Sequence, residues 1–255
     1  MCTFSIDGVI LKVAAGSDFD AQVQVLTPRL GRLNLAARRL NRPSRLRGSL
    51  LAWTQCRFQL RRIAKTGAVV IEECERLASF PELTSDYLRF VCASYISELL
   101  LLTVGDRSPC PEICDLLLPT LSALSSFRGP KAVALAAELK ILGALGYAPS
   151  LCSCVVCGRP QETVRSRFLV EAGGVICDNC WSKHAQGSKE ETAINVGAGV
   201  VAFARMAMSK PIKSLKTTSV SNSLGRELAH LLTHHKARHL QVRLNSARLL
   251  ADISR

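Results

Sequence analysis

The sequence predicts an α+β chain: an amino-terminal β-barrel, then an α-helical domain with an inserted four-cysteine module. Three observations carry this. Through the first 79 residues apolar and polar side chains alternate, the period of strands with one buried face. After Phe80-Pro81 the apolar spacing becomes helical. Between residues 148 and 183 stand the pairs Cys154-x2-Cys157 and Cys177-x2-Cys180. The expected domains are residues 1–79, residues 80–147 with 184–255, and the module 148–183.

In the first strand Phe4 and Ile6 share one phase, and Val9, Leu11 and Val13 the other. Gly8 stands at the switch, where a glycine suggests a bulge. Gly16-Ser17-Asp18 reads as a turn. Phe19, Ala21, Val23 and Val25 then alternate with Asp20, Gln22 and Gln24. After a turn at Pro28-Arg29-Leu30-Gly31, Leu33, Leu35 and Ala37 oppose Arg32, Asn34 and Arg38. A basic loop, Leu40 to Gly48, leads to a fourth strand near Leu50 to Ala64, and Lys65-Thr66-Gly67 turns into a fifth at Ala68 to Cys74. Five short strands with a bent first one fit a Greek-key OB-fold barrel; an SH3-like barrel shares the pattern.

Leu88, Val91, Tyr95, Leu99 and Leu102 mark the first helix, with Thr84, Ser85 or Asp86 as its cap. A second begins near Pro111-Glu112 and is expected to break or kink at Pro119. A third runs from about Lys131 to Leu145 and stops at Gly146. Beyond the module, helices are expected near Ile194 to Met208 and Ser223 to Ile253.

The cysteine spacing points to one structural Zn2+ held by Cys154, Cys157, Cys177 and Cys180. Thiolates favour zinc, and a four-cysteine shell leaves no open position for water or substrate. Cys152 is a possible substitute ligand at a poorer spacing. Eleven cysteines with no signal-like start imply a reducing compartment, so a cytoplasmic location is expected. Apolar stretches such as Ile194 to Met208 fall short of the roughly 18 to 20 residues that span a bilayer, so no membrane association is expected.

Charge is uneven within a formal net of +13. Arg29 to Arg62 holds ten arginines and no acid, Glu72 to Asp115 nets −6, and Arg205 to Arg255 nets +8. Arginine suits phosphate and base stacking, so the first stretch points to nucleic acid. The candidate contacts are Arg29, Arg32, Arg38, Arg39, Arg42, Arg45, Arg47, Arg57 and Arg61, with Trp53. Trp53 shares a strand face with Arg57 and Arg61, where it either stacks bases or closes one end of the barrel.

Other motifs do not carry chemistry. Gly197-Ala198-Gly199 resembles a dinucleotide fingerprint but has no preceding strand and no acid about twenty residues on, and reads as helix packing. His230/His234 and His235/His239 lack the glutamate of a zincin and read as a solvated basic helix face. No histidine is followed two residues later by glutamate, which excludes the deaminase pattern. No catalytic residue is assigned, and no enzyme activity is expected.

The order of parts resembles the bacterial RecO family of recombination mediators along nearly the whole chain. The resemblance rests on Gly8-Val9-Ile10-Leu11-Lys12 with Gly16 and Asp20, on Leu26-Thr27 and Gly31, and on Ala36 to Arg39 with Ser44-Arg45-Leu46. It continues through Ala93 to Leu100, Glu138 to Leu142, and the junction Leu145-Gly146-Tyr147-Ala148-Pro149 before the first knuckle, the most specific stretch. His234-His235 through Ser246 resembles the closing helix. Ser17 departs from the glutamate often found there, and Cys152 is unusual.

The resemblance implies an OB-fold domain, a helical domain and a zinc module. It also implies binding of single- and double-stranded DNA, annealing of complementary strands, and RecA loading in DNA repair and recombination. The implied partners are RecR, the acidic tail of single-stranded-DNA-binding protein and, further, RecF, at the nucleoid. Two other classes fit the residues: an RNA-binding or ribosome-associated OB protein with a zinc ribbon, and a zinc hydrolase, which the closed four-cysteine shell disfavours.

Overall fold

A computed structural model describes residues 3–15, 21–38, 46, 48–64, 66–160, 165–184 and 193–252. The chain divides into two compact units, Met1–Ser125 and Ser126–Arg255. This boundary falls inside the expected helical domain, because the first helices group with the barrel.

The amino-terminal unit is built on β1 (Thr3–Ala15), β2 (Ala21–Thr27), β3 (Gly31–Ala37), β4 (Gln55–Arg62) and β5 (Val69–Ala78). They close into a barrel in the order β1-β2-β3-β5-β4, with β1 pairing antiparallel to both β2 and β4. β3 meets β5 in parallel through Ala36 and Val70. This is the five-stranded OB arrangement. Alternation places Ile10, Val23, Val25, Leu35, Phe58 and Leu60 in a common core.

The bulge in β1 lies between Ile10 and Lys12, not at Gly8. Around it the consecutive Val9, Ile10 and Leu11 are all buried, Ile10 in the barrel core. Gly8 has a different cause: a Cβ there would stand 2.5 Å from Val25 Cγ1.

α1 (Glu82–Ser85) is a single turn before α2 (Tyr87–Thr103), whose N-terminus is capped by Asp86, its carboxylate accepting from Arg89 N at 2.9 Å. α3 (Pro111–Ser126) continues through Pro119 instead of breaking. Leu117, Leu121 and Leu124 are buried on either side, and that packing outweighs one missing backbone bond. Gly31, at φ 60°, passes so close to the loop before α3 that a Cβ would lie 2.0 Å from Ser108 O.

The second unit begins with α4 (Pro130–Ala144), buried almost all round, with Gly146 at φ 82° beyond its end. The module supplies β6 (Arg165–Leu169), β7 (Gly174–Ile176) and α5 (Asp178–His184). Ala193–Gly197 is a strand, β8, rather than the start of a helix. It pairs antiparallel with β6, giving a sheet in the order β7-β6-β8, and this pairing overrides the helical pattern. α6 (Ala198–Ser209) follows, then a short 3-10 turn at Ile212–Leu215. The expected last helix is two: α7 (Asn222–His239), capped by Ser221, and α8 (Ser246–Asp252). Between them Gln241 takes a positive φ of 57°, which a continuous helix does not allow.

Candidate metal centre and nucleic-acid surface

Each half of the metal centre is shaped by backbone. In the first knuckle Gly158 N donates to Cys154 O at 2.9 Å and Cys154 N to Arg159 O at 2.8 Å, folding Cys154–Cys157 into a tight turn. In the second, Cys177 immediately follows β7 and Cys180 lies in the first turn of α5. Val155 N donates to Val175 O at 2.9 Å and joins the halves. The four sulfurs lie within 4.8 Å of one another, and Cys157 Sγ and Cys177 Sγ are 3.8 Å apart. A tetrahedron with metal–sulfur bonds of about 2.3 Å has edges of about 3.8 Å. Cys152 lies outside the cluster; it is exposed, and its carbonyl accepts from Arg205 at 3.0 Å.

The donor chemistry fits a dication. Burial raises the Cys154 thiol, but backbone N–H groups, first that of Cys177 and then those of Cys157 and Val156, outweigh it and hold Cys154 at about 6. Cys180, hydrogen-bonded by Cys177 and crowded by Cys157 and Cys154, is pushed up to about 12. Four sulfurs this close cannot all ionise unaided, and a bound metal removes that conflict. Amides directed at sulfur, Cys177 N to Cys154 at 3.4 Å and Cys180 N to Cys177 at 3.4 Å, stabilise thiolates further. Arg167 pairs with Asp178 at 2.6 Å and lies over the Trp181 ring at 5.2 Å, beside the second knuckle. The four cysteines would hold the metal as a cross-link.

α7 grips this module. His235 donates from Nε2 to Tyr147 O and His239 to Val170 O, both at 2.8 Å, with the two rings 4.6 Å apart. His235 is 3% exposed and meets Phe168 edge-on, so the pair is a clamp and not a solvated face. Only His230 and His234 remain as a pair of the expected kind. Spacing alone does not separate the two cases, because the acceptors are backbone carbonyls distant in sequence. Leu228, Leu231 and Leu232 are fully buried in the unit's core.

Gly197-Ala198-Gly199 does follow a strand and open a helix, contrary to the sequence reading. The Glu227 carboxylate accepts from Gly197 N there, and β8 runs antiparallel to its neighbour. A carboxylate at that helix start repels a phosphate, so a dinucleotide site is excluded on these grounds.

On the barrel the candidate contacts separate into classes. Arg39, Arg42, Arg45 and Arg47 lie outside the described residues. Arg29 is exposed on the β2–β3 turn, beside a groove of about 370 Å³ lined also by Ser5, Asp7 and Thr27. Arg38 is exposed at the end of β3. Arg57 pairs with Asp7 at 2.9 Å and approaches Glu75 at 3.9 Å; Arg61 pairs with Glu72 at 2.5 Å. Arg32 pairs with Asp106 at 2.7 Å and donates to Leu101 O, in the last turn of α2. Arg62, exposed and making no ion pair with a described residue, is a cation the sequence reading left out.

Trp53 is 4% exposed and does not present its face for stacking. It precedes β4 at φ 60°, its N donates to Ile10 O at 2.7 Å, and Nε1 donates to Ser97 Oγ on α2 at 2.9 Å. Phe90 meets it edge-on at 5.3 Å. Of the two sequence readings, closing the barrel end is the one the structure supports. The positive φ takes Trp53 out of the strand alternation that aligned it with Arg57.

Among the described residues, no helix is long and apolar enough to cross a membrane. Residues 84–248 match the family described as Recombination protein O C terminal. A DNA repair protein RecO from Symbiobacterium thermophilum is 29% identical over 256 residues, covering 98% of this chain and 97% of the relative. One from Desulforudis audaxviator is 29% identical over 242 residues, with 94% and 93% covered. One from Bacillus cereus is 24% identical over 251 residues, with 98% and 97% covered.

Proposed function

Because the chain belongs to the RecO family, we propose that it acts in DNA repair as a recombination mediator that binds single- and double-stranded DNA and anneals complementary strands. The observation that carries this is a closed OB-type barrel with exposed cations at the β2–β3 turn and the end of β4 that make no ion pair among the described residues, in a chain of net charge +13. Arg29, Arg38 and Arg62, with Arg39, Arg42, Arg45 and Arg47, would neutralise phosphates and release counterions, letting two strands approach despite their repulsion. Arg57 and Arg61 can add to this because exposed ion pairs are weak and a phosphate competes with them. Arg32 serves the fold instead.

RecA loading with RecR, and RecF as a further partner, follow from the same family reading, as do the cytoplasm and nucleoid as the site of action. The acidic tail of single-stranded-DNA-binding protein would meet the carboxyl-terminal stretch from Arg205 to Arg255, net +8. That contact rests on charge, since Leu228, Leu231 and Leu232 belong to the core. The zinc would be structural, one ion per chain.

The test is a salt titration of single-stranded DNA affinity, with RNA of equal length beside it. Replacing Arg38, Arg39, Arg42 and Arg45 with alanine should weaken binding to all sequences alike, and the salt slope should fall by about 0.7 for every phosphate no longer neutralised. Arg29→Ala should do the same on a smaller scale, with thermal stability unchanged. Unchanged affinity and slope in a folded quadruple variant would move the DNA site off the barrel. Preference for RNA would favour the ribosome-associated alternative.

A further inference from the structure

We propose that Cys110 and Cys114, at the start of α3, form a reversible disulfide on exposure to a hydroperoxide and thereby loosen the β2–β3 turn of the barrel. The two thiols lie outside the metal centre, in the other compact unit. Their sulfurs are 3.9 Å apart, one helical turn along the chain. As a thiol, Cys110 Sγ donates to Thr27 O at 3.6 Å, a bond it gives up on ionising, and the Cys110 amide donates to Pro28 O at 3.0 Å. The pair therefore sits between a helix start and the turn that carries Arg29.

The two sulfurs have unequal roles. Cys110 immediately precedes a sixteen-residue helix, where the positive end of the dipole stabilises a thiolate. The neighbouring Cys114 thiol hydrogen-bonds to it, lowering Cys110 below the usual thiol range against the effect of burial and raising Cys114. Cys110 is thus the attacking sulfur. It displaces water or an alcohol from the peroxide: an S–O bond forms, the O–O bond breaks, and sulfur is oxidised to the sulfenic acid as the peroxide is reduced. Cys114 then attacks that sulfur. The S–S bond forms, the S–O bond breaks, and the departing oxygen leaves as water with the Cys114 proton. Reduction by a dithiol reverses the change.

Access and strain fit a bond that is reversible. Cys110 and Cys114 are 9% and 8% exposed and Cys92 and Cys56 are 0%, so a small oxidant reaches the first pair more readily than these two; Cys74 and Cys152 are more open still. Side chains four apart on a helix hold their Cβ atoms about 5 to 6 Å apart, against roughly 3.5 to 4.5 Å in a disulfide. The first turn of α3 must yield, giving up the bond from Cys114 N to Cys110 O, now 3.1 Å. A strained disulfide is easier to reduce. Withdrawing Cys110 also removes its hold on Thr27 and Pro28.

The experiment uses the full-length, reduced, zinc-loaded protein and limiting hydrogen peroxide, followed by alkylation and trypsin. Residues 108–128, released by cleavage after Arg107 and Arg128, contain Cys110 and Cys114 and no other cysteine. That peptide should lose both alkyl groups and be lighter by two hydrogens before zinc is released, and dithiothreitol should restore both groups. Amide hydrogen exchange over residues 27–31 should rise in the oxidised protein and stay unchanged in peroxide-treated Cys114→Ser. In Cys114→Ser, Cys110 should be trapped as a sulfenic acid that dimedone labels. Full alkylation of the peptide after zinc has already been ejected would overturn the proposal, as would oxidation of Cys110 to the sulfinic acid with Cys114 still free. A disulfide that leaves exchange at residues 27–31 unchanged would overturn its link to the turn. None of these readouts depends on nucleic-acid binding.

Discussion

The Lys236 ammonium on α7 donates to the Glu138 carboxylate on α4, with 1% and 0% of the two side chains exposed. The pair joins α4 to α7 in the core of the second unit. Removing one partner strands a charge that water cannot reach. Lys236→Met should lower unfolding free energy by about 3 to 5 kcal/mol, and Glu138→Leu by a similar amount. The double variant should recover at least half of the summed loss, because neither charge is then left buried. Urea denaturation of all four proteins measures this, and strict additivity would show that the pairing is not what these residues contribute.

One zinc per chain should be found by elemental analysis of protein prepared without chelator. Cys154→Ser should abolish that content and reduce soluble yield. The residue is 2% exposed, its sulfur accepts the Cys177 amide, and it lies in the small core with Leu169 and Ile176, so both metal binding and packing should suffer. Cys152→Ser should leave zinc content unchanged.

Acid should weaken the grip of α7 on the module. Burial lowers the folded-state proton affinity of His235, with His239 and Lys236 acting in the same direction and the bond to Tyr147 O opposing them. The unfolded chain therefore takes up a proton near pH 6.5 that the folded chain resists. Stability should be level above that value, fall as pH drops through it, and flatten below the folded-state value. Metal thiolates protonate over a similar range, so the diagnostic quantity is a difference. Urea midpoints measured against pH should fall less steeply for His235→Gln, whose amide can still donate to Tyr147 O.

Trp53 gives a sharper separation of roles. Trp53→Phe should keep single-stranded DNA affinity while lowering stability by about 1 to 3 kcal/mol, since the Ser97 hydroxyl loses its buried donor. A large loss of affinity at unchanged stability would restore the stacking reading.

Where local pattern and tertiary demand agree, the fold was legible. The alternation of Ala21, Val23 and Val25 named the inward face of β2, and the Cys-x2-Cys spacing named the four thiols that cluster, because both are fixed by neighbours in sequence. The failures share one cause. Arg32 looked like any other arginine until the end of α2 arrived to accept from it, across a sequence separation of 69 residues. The strand at Ala193–Gly197 needs β6 beside it, and the burial of His235 needs Tyr147 and Phe168. None of these partners leaves a mark on local periodicity. Pro119 shows the converse: α3 does not break there, a local rule outweighed by the burial around it.

The pairing of β8 with β6 has a consequence for how this protein can be taken apart. A surgeon of sequences would see residues 148–183 as a detachable cassette, to be excised and the ends rejoined. The sheet order β7-β6-β8 makes them a shared wall instead. Cutting them out would leave Ala193–Gly197 as an orphaned edge, and α6, which grows directly from its last residue, without a foundation. Shortened versions of the chain should therefore keep the metal knuckles even where the metal itself has no part in the task.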